Sequence, residues 1–193
     1  MLDPMTTKKT ASPRRAVGRP SSRETILDAA EAVVLEGGAP ALTLDSAARK
    51  AGVSKGGVLY HFPTKDSLLQ GMIERLIRRT VEAHQAVAGG RTEPEQVLKS
   101  YVTNSVSDPA GIDRVAGALL VAVANDEKLL EPVRLFFRER LPVLTGGLAF
   151  ERASVVHLAT EGLWLMEILG ISPFSPAQRR KVVAELLRQA GAA

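Results

Sequence analysis

Between Thr43 and Leu69 the run TLDSAARKAGVSKGGVLYHFPTKDSLL places helix starts and helix stops so close together that only short helices packed on one another satisfy it. Thr43 is a preferred N-cap residue, and Leu44, Ala47, Ala48 and Ala51 recur at the i, i+3, i+4, i+7 spacing of one buried helical face. Gly52 follows where the chain must turn; glycine tolerates the left-handed backbone that ends many helices, and Val53 is placed to plug the angle between two of them. Ser54 then caps a second helix whose first turn is Lys55, Gly56 and Gly57, where each glycine costs roughly 1 kcal/mol relative to alanine. Val58, Leu59 and Phe62 are expected to face inward and Tyr60 and His61 outward. Pro63 stops this helix, and Thr64 caps the next.

Two glycines in the first turn of a helix require an offsetting gain, and close approach to a partner supplies one. A helix that reads DNA enters the major groove by its N-terminal end, where small residues bring the backbone near base edges and phosphates. Lys65, in the first turn after Thr64, sets a cation beside a helix N-terminus, a place where phosphate binds. Taken singly, paired glycines are a turn, a lysine is a solvated charge, and Tyr60 or His61 is an ordinary partly buried residue. Together, AGVSKG, YHF and TKDSLL at these spacings closely resemble the TetR family of transcriptional regulators, over Ile26 to Leu69. The resemblance implies Thr43, Ser54, Tyr60, His61 and Lys65 at DNA phosphates. It places Lys55, Gly56 and Gly57 at base edges, with Lys55 donating to guanine O6 or N7. Many members carry a hydroxyl or amide side chain at the position of Gly57 and a tyrosine at that of Leu59. Neither side chain here forms hydrogen bonds, so more of the specificity is expected from DNA shape or from the N-terminal arm.

That arm holds six basic residues between Lys8 and Arg23, with no acid, among Thr, Ser, Pro and Gly. Such a segment cannot fold alone. Arg14, Arg15 and Arg19 are its candidates for the minor groove or for phosphate, Arg19 being held extended by Pro20; the bland alternative is a solvated tail. Residues 1–88 carry 13 Lys+Arg against 9 Asp+Glu, whereas residues 89–193 carry 12 of each, so the whole excess of positive charge is N-terminal. A basic half beside a neutral half suits a DNA-binding module joined to something that is not one. The chain has no cysteine, which excludes disulfides, thiolate nucleophiles and cysteine metal sites. No run approaches the roughly 20 apolar residues of a membrane span, and the polar, basic N-terminus does not read as a signal peptide; a cytoplasmic location is expected. His61, His84 and His157 are far apart, and HExxH, GxSxG and phosphate-loop patterns are absent, so no enzyme activity, metal or cofactor is expected.

Helical spacing continues to the end of the chain. Ser21 with Glu24 reads as a capping box before a helix that buries Ile26, Ala30, Val33 and Val34 and ends at Gly37-Gly38. The helix after Thr64 runs through Leu68, Leu69, Met72, Ile73, Leu76 and Ile77 to Ala88. Thr92 with Glu95 reads as another capping box, for a helix to about Val106, and Asp108-Pro109 breaks the chain before Ile112 to Val123. Further helices are expected over Glu131–Thr145, with Pro132 near its start, over Leu148–Leu169, and over Pro176–Ala190, opened by Ser175 and Gln178. The fold class is all-α with about nine helices: a disordered arm (1–20), a helix-turn-helix domain (21–67) and a helical effector-binding and dimerisation domain (68–193).

Ala159, Gly162, Leu163 and Met166 form one stripe and Val182, Val183, Leu186 and Leu187 another, each fit for a dimer interface or for the core of one chain. The resemblance favours a homodimer built as a four-helix bundle from the last two helices. Its recognition helices would stand about 34–36 Å apart on a palindromic double-stranded operator. It also implies a pocket for a small hydrophobic effector, with Tyr101, Phe136, Phe137, His157, Glu161 and Trp164 as candidate lining; at helical spacing the same residues also suit plain core. The expected function is that of a ligand-responsive repressor released from its operator by the effector. The alternative, favoured by the departures at Gly57 and Leu59, is a helical small-molecule-binding or scaffold protein that has lost sequence-specific DNA binding.

Overall fold

The computed structural model describes residues 22–90, 92–107, 112–124 and 126–191. The arm with Arg14, Arg15 and Arg19, the Ser21 cap and the Asp108-Pro109 break lie outside the described residues. Within them are nine α-helices, one 3-10 turn and no strand. The head is built from α1 (Ser22–Gly37), the 3-10 turn Ala39–Ala41, α2 (Leu44–Ala51) and α3 (Lys55–His61), and α4 (Lys65–Ala88) leads out of it. Its caps are those the sequence specifies. Thr43 and Thr64 accept from the N–H groups of Ser46 and Ser67, which answer by accepting from the cap N–H groups; Ser54 accepts from the Gly57 N–H, and Gly52 takes φ 67°. Ile26, Ala30, Val33, Val34, Val58 and Phe62 are buried as expected.

Leu59 corrects the expected inward face of α3, since it is 39% exposed. A seven-residue helix packed by Val58 and Phe62 at i and i+4 covers one narrow face, and Leu59 lies about 100° round from Val58. Phe62 is held tightly: a Cβ added at Gly71 of α4 would stand 2.7 Å from its ring, and the Arg23 guanidinium lies 5.3 Å from the ring centroid.

The body consists of α5 (Pro94–Val106), α6 (Ile112–Val123), α7 (Glu127–Thr145), α8 (Phe150–Ile168) and α9 (Pro176–Ala190). The Thr92–Glu95 box does not form. Glu93 is the N-cap and Pro94 opens the helix, its fixed φ already helical. Helix α7 starts four residues before the expected Glu131, because the Asp126 side chain accepts from the N–H groups of Lys128 and Leu129; both Pro132 and Pro142 then lie inside the helix. In α9 the Ser175–Gln178 box forms as read.

Two apolar cores result. One runs from α1, α2 and α3 through Leu68, Leu69, Met72 and Ile73 of α4 to Val115, Leu119 and Val123 of α6. The other joins α5, α7, α8 and α9 and contains Leu163 and Leu186. These two residues were candidates for a dimer interface; the structure places them inside the core of the single chain, because their side of α8 and α9 faces α5. Between α1 and α4 the contact is ionic as well as apolar. The buried Arg75 guanidinium reaches Asp28 at 2.6 Å, Glu31 at 2.6 Å and Glu24 at 3.4 Å.

Candidate nucleic-acid interface and effector cavity

The candidate DNA-reading residues are displayed by α2, α3 and the start of α4. Thr43, Ser54, Lys55, Gly56, Tyr60 and Lys65 are exposed, Gly57 and His61 half-buried. Tyr60 is 84% exposed, an unusual position for a tyrosine ring without a partner surface. The His61 Nε2 lies 2.7 Å from the Ser22 hydroxyl, which ties the end of α3 to the first turn of α1. Lys55 Nζ stands 3.1 Å from the Asp45 carboxylate of α2. The sequence reading missed this ion pair: it holds the lysine over the angle between the two helices, in water, where exchange for a guanine edge costs little. Lys65 Nζ approaches the Ala39 carbonyl at 3.5 Å. A Cβ on Gly56 would meet nothing nearer than 3.9 Å, so the protein's own packing does not demand glycine there.

The second site is a partly open cavity of about 190 Å³ lined by α4, α5, α6, α7 and α8. Its wall is mainly apolar, from Ile73, Leu76 and Ile77 on α4 and Leu119, Leu120 and Val123 on α6 to Phe136 and Phe137 on α7. Of the six residues expected at a pocket, Phe136, Phe137, Glu161 and Trp164 line it. Tyr101 and His157 stand behind the wall and brace Glu161: the Tyr101 hydroxyl donates to Glu161 and lies 2.7 Å from His157 Nδ1. Arg140 adds its guanidinium over the Tyr101 ring, 5.4 Å from the centroid. Burial raises the Glu161 carboxyl above its usual range, against the lowering pull of the Tyr101 hydrogen bond and of Arg140. Burial, then Arg140, lowers His157.

His84 lines the cavity and was not singled out from the sequence, where a lone histidine on a long helix carries no signal. It stacks on Tyr101 with ring centroids 5.3 Å apart, and burial, reinforced by Arg140, holds its pKa down to about 3 against its ordinary 6.5. Between those values the unfolded chain binds a proton that the folded chain refuses. The stabilisation is therefore fully present above 6.5 and is lost as pH falls towards 3. His84→Gln, which cannot titrate, is expected to remove an acid-side loss on the order of a few kcal/mol. Urea midpoints followed from about pH 7 to about pH 4 should decline less steeply in the variant, and equal slopes would reject this account.

Among the described residues no cluster of His, Asp and Glu is fit to hold a metal, and no helix is long and apolar enough to cross a membrane. The family described as bacterial regulatory proteins, tetR family, matches residues 26–72, and the tetracyclin repressor-like C-terminal domain matches residues 95–191, half of the chain. The HTH-type transcriptional regulator BetI of Stenotrophomonas maltophilia is 27% identical over 188 residues, covering 88% of this chain and 92% of that protein. An uncharacterized HTH-type transcriptional regulator of Pseudomonas putida, TtgW, is 46% identical over 52 residues, 27% of this chain and 39% of that one. A solved transcriptional regulator from Rhodococcus sp. Rha1 superposes with a TM-score of 0.68 at 24% identity, over 89% of this chain and 95% of its own. Head and body match the same family, and the match spans both the capped helices that display Lys55 and most of the helices that line the cavity; the chain belongs to the TetR family of ligand-responsive, DNA-binding transcriptional regulators.

Proposed function

We propose that the protein is a homodimeric repressor that binds a palindromic operator through two copies of α3 and leaves it when a small hydrophobic molecule fills the cavity. One observation carries the reading: α4 serves both sites over a single segment. Ile73, Leu76, Ile77 and Thr80 face the cavity, while Arg75, Arg78 and Arg79, interleaved with them, grip the acids of α1. A ligand that moves this segment moves the head, and an effector that prefers the moved state shifts the population off DNA. Lys55 is assigned to a base edge, with Gly56 and Gly57 allowing close approach. Thr43, Ser54, Tyr60, His61 and Lys65 are assigned to phosphates, Arg14, Arg15 and Arg19 to the minor groove, and the location is cytoplasmic. We take residues 21–67 as the DNA-binding unit and 68–193 as the effector-binding and dimerisation unit.

The proposed dimer face is the outward side of α8, where Val155, Leu158, Ala159, Leu165 and Met166 are exposed, together with Leu169 at its C-cap. They recur at helical spacing around Gly162, where an added Cβ would meet nothing within 4 Å. Ala159, Gly162 and Met166 of the expected stripe thus remain in the proposal. Val182, Val183 and Leu187 of α9 are half-buried against the core of their own chain and contribute their outer edges.

Selecting duplexes from a random DNA pool tests the reading. A palindrome is expected, and its affinity should fall with salt by about 0.9 in log K per log salt for each phosphate contact. Lys55→Ala is expected to cost about 1–3 kcal/mol on the selected site and to relax preference at one base pair of each half-site. A variant that selects the same sequence as the parent would remove Lys55 from that role.

A further inference from the structure

The cavity wall carries an ionisable carboxyl that its apolar lining does not account for. Thr80, Asn104 and Ser105 on the wall are neutral, and His84 is neutral at physiological pH. Glu161 is the remaining ionisable group there. Its Oε1 accepts from the Tyr101 hydroxyl, whose oxygen lies 2.7 Å from His157 Nδ1. With the tyrosine proton given to the carboxylate, His157 donates from Nδ1, and the whole relay points at Glu161. Oε2, the second carboxylate oxygen, has no hydrogen-bond partner among the described residues. Arg140, the cation beside this cluster, lies over the Tyr101 ring, makes no ion pair with Glu161 among the described residues and is not part of the wall. The wall therefore presents two polar atoms without a hydrogen-bond partner among the described residues, Glu161 Oε2 and the buried Nδ1 of the neutral His84, of which only the carboxylate oxygen can carry charge, next to the rings of Phe136, Phe137 and Trp164.

We propose that the cavity takes a hydrophobic organic cation that carries its charge on N–H groups, a protonated amine or amidinium on an apolar body. Its N–H donates to Glu161 Oε2 and its body packs on Phe136, Phe137 and Trp164. The assignment rests on the cavity being the effector site and names the chemistry of what enters it. A carboxylate ligand is rejected because its charge would meet Glu161 without a donor between them, and a buried unpaired charge is costly. A neutral alcohol of the same shape keeps the packing and loses the charge-assisted bond, the stronger kind of hydrogen bond. Burial of Glu161 works in the same direction: a carboxyl that resists ionisation alone is stabilised as the carboxylate by the cation that arrives.

Trp164 is the single tryptophan of the chain and lines the cavity, so its fluorescence in the full-length protein reports occupancy. The probes are phenylbutylamine, phenylbutanol, phenylbutyrate and phenylbutyltrimethylammonium, which share one apolar skeleton. The amine is expected to bind at least about ten-fold more tightly than the alcohol, and the carboxylate not at all. The quaternary ammonium, which has the charge and no N–H, should bind more weakly than the amine. In Glu161→Gln the amine should fall to the level of the alcohol while the alcohol holds its affinity. Alcohol and amine bound equally by the parent protein would overturn the charge assignment and leave the cavity as the effector site; this comparison needs no variant. A quaternary ammonium bound as tightly as the amine would overturn the N–H donor. Four silent titrations, with unchanged melting temperatures, would overturn the effector site itself and the ligand class with it.

Discussion

Asp28→Asn combined with Glu31→Gln is expected to destabilise the fold by about 3–5 kcal/mol, because it removes the two nearest of the three counter-charges around a buried guanidinium. Arg75 is 1% exposed, yet three acids of α1 surround it. Glu24, Asp28 and Glu31 recur at i, i+4 and i+7 on one face of that helix, opposite Arg75, Arg78 and Arg79 of α4. In the doubly substituted protein the guanidinium keeps Glu24 at 3.4 Å and loses its two contacts at 2.6 Å. Arg75→Ala alone should cost about 3 kcal/mol through lost packing and lost pairing, since Glu31 retains Arg79 at 3.0 Å. Arg75→Met keeps most of the buried stem and needs no counter-charge. Placed in the Asp28→Asn, Glu31→Gln background it should therefore raise the urea midpoint, although the same change lowers it in the parent protein. A lowering in both backgrounds would mean that the contact is packing and not charge. Since α1 carries the head, operator affinity should fall with Arg75→Ala even at temperatures where the protein stays folded.

The second large effect is expected from Leu158→Glu. Leu158 is 69% exposed at the middle of the outward stripe of α8, so a carboxylate there leaves the single chain folded and repels a second copy. Two heads joined in a dimer bind two half-sites with an effective local concentration that single heads lack; separating them should cost on the order of 10²–10⁴ in operator affinity. Sedimentation should show a monomer of unchanged helicity. Leu163→Glu, five residues along the same helix, should instead unfold the body, because Leu163 is 4% exposed in the chain's own core. A dimer that survives Leu158→Glu would move the interface off α8.

The difference between Leu158 and Leu163 marks how far the sequence could be read. Caps and stops are local chemistry: Thr43, Gly52, Ser54, Thr64 and Ser175 each act on backbone groups within a few residues, and each is found where its neighbours required it. Helix α7 shows the limit even of local signals. Pro132 resembles a first-turn proline, but Asp126 caps the helix earlier and the proline is carried inside. Which side of an apolar helix meets its own chain is not local. Ala159, Gly162, Leu163 and Met166 lie within two turns of α8, and the neighbour that selects Leu163 is a helix some sixty residues away in the chain. The cavity followed the same rule: aromatic residues announced Phe136, Phe137 and Trp164, whereas the aliphatic wall on α4 and α6 and the neutral His84 emerge from the packing of five helices. Arg75 is the extreme case, a buried charge on a helix whose sequence reads as a solvated face at that position.

The apolar core that begins in α1 does not end with α3; it passes through the first turns of α4 and closes on Val115, Leu119 and Val123 of α6. A head cut at residue 67 would leave Ile26, Val58 and Phe62 without the far half of their packing. For anyone building chimeric regulators, the transplantable unit is therefore larger than the helix-turn-helix. An exchanged head will seat only on a body whose α4 and α6 surfaces complement it, so operator choice and effector choice in this protein are inherited together through one shared block of hydrocarbon.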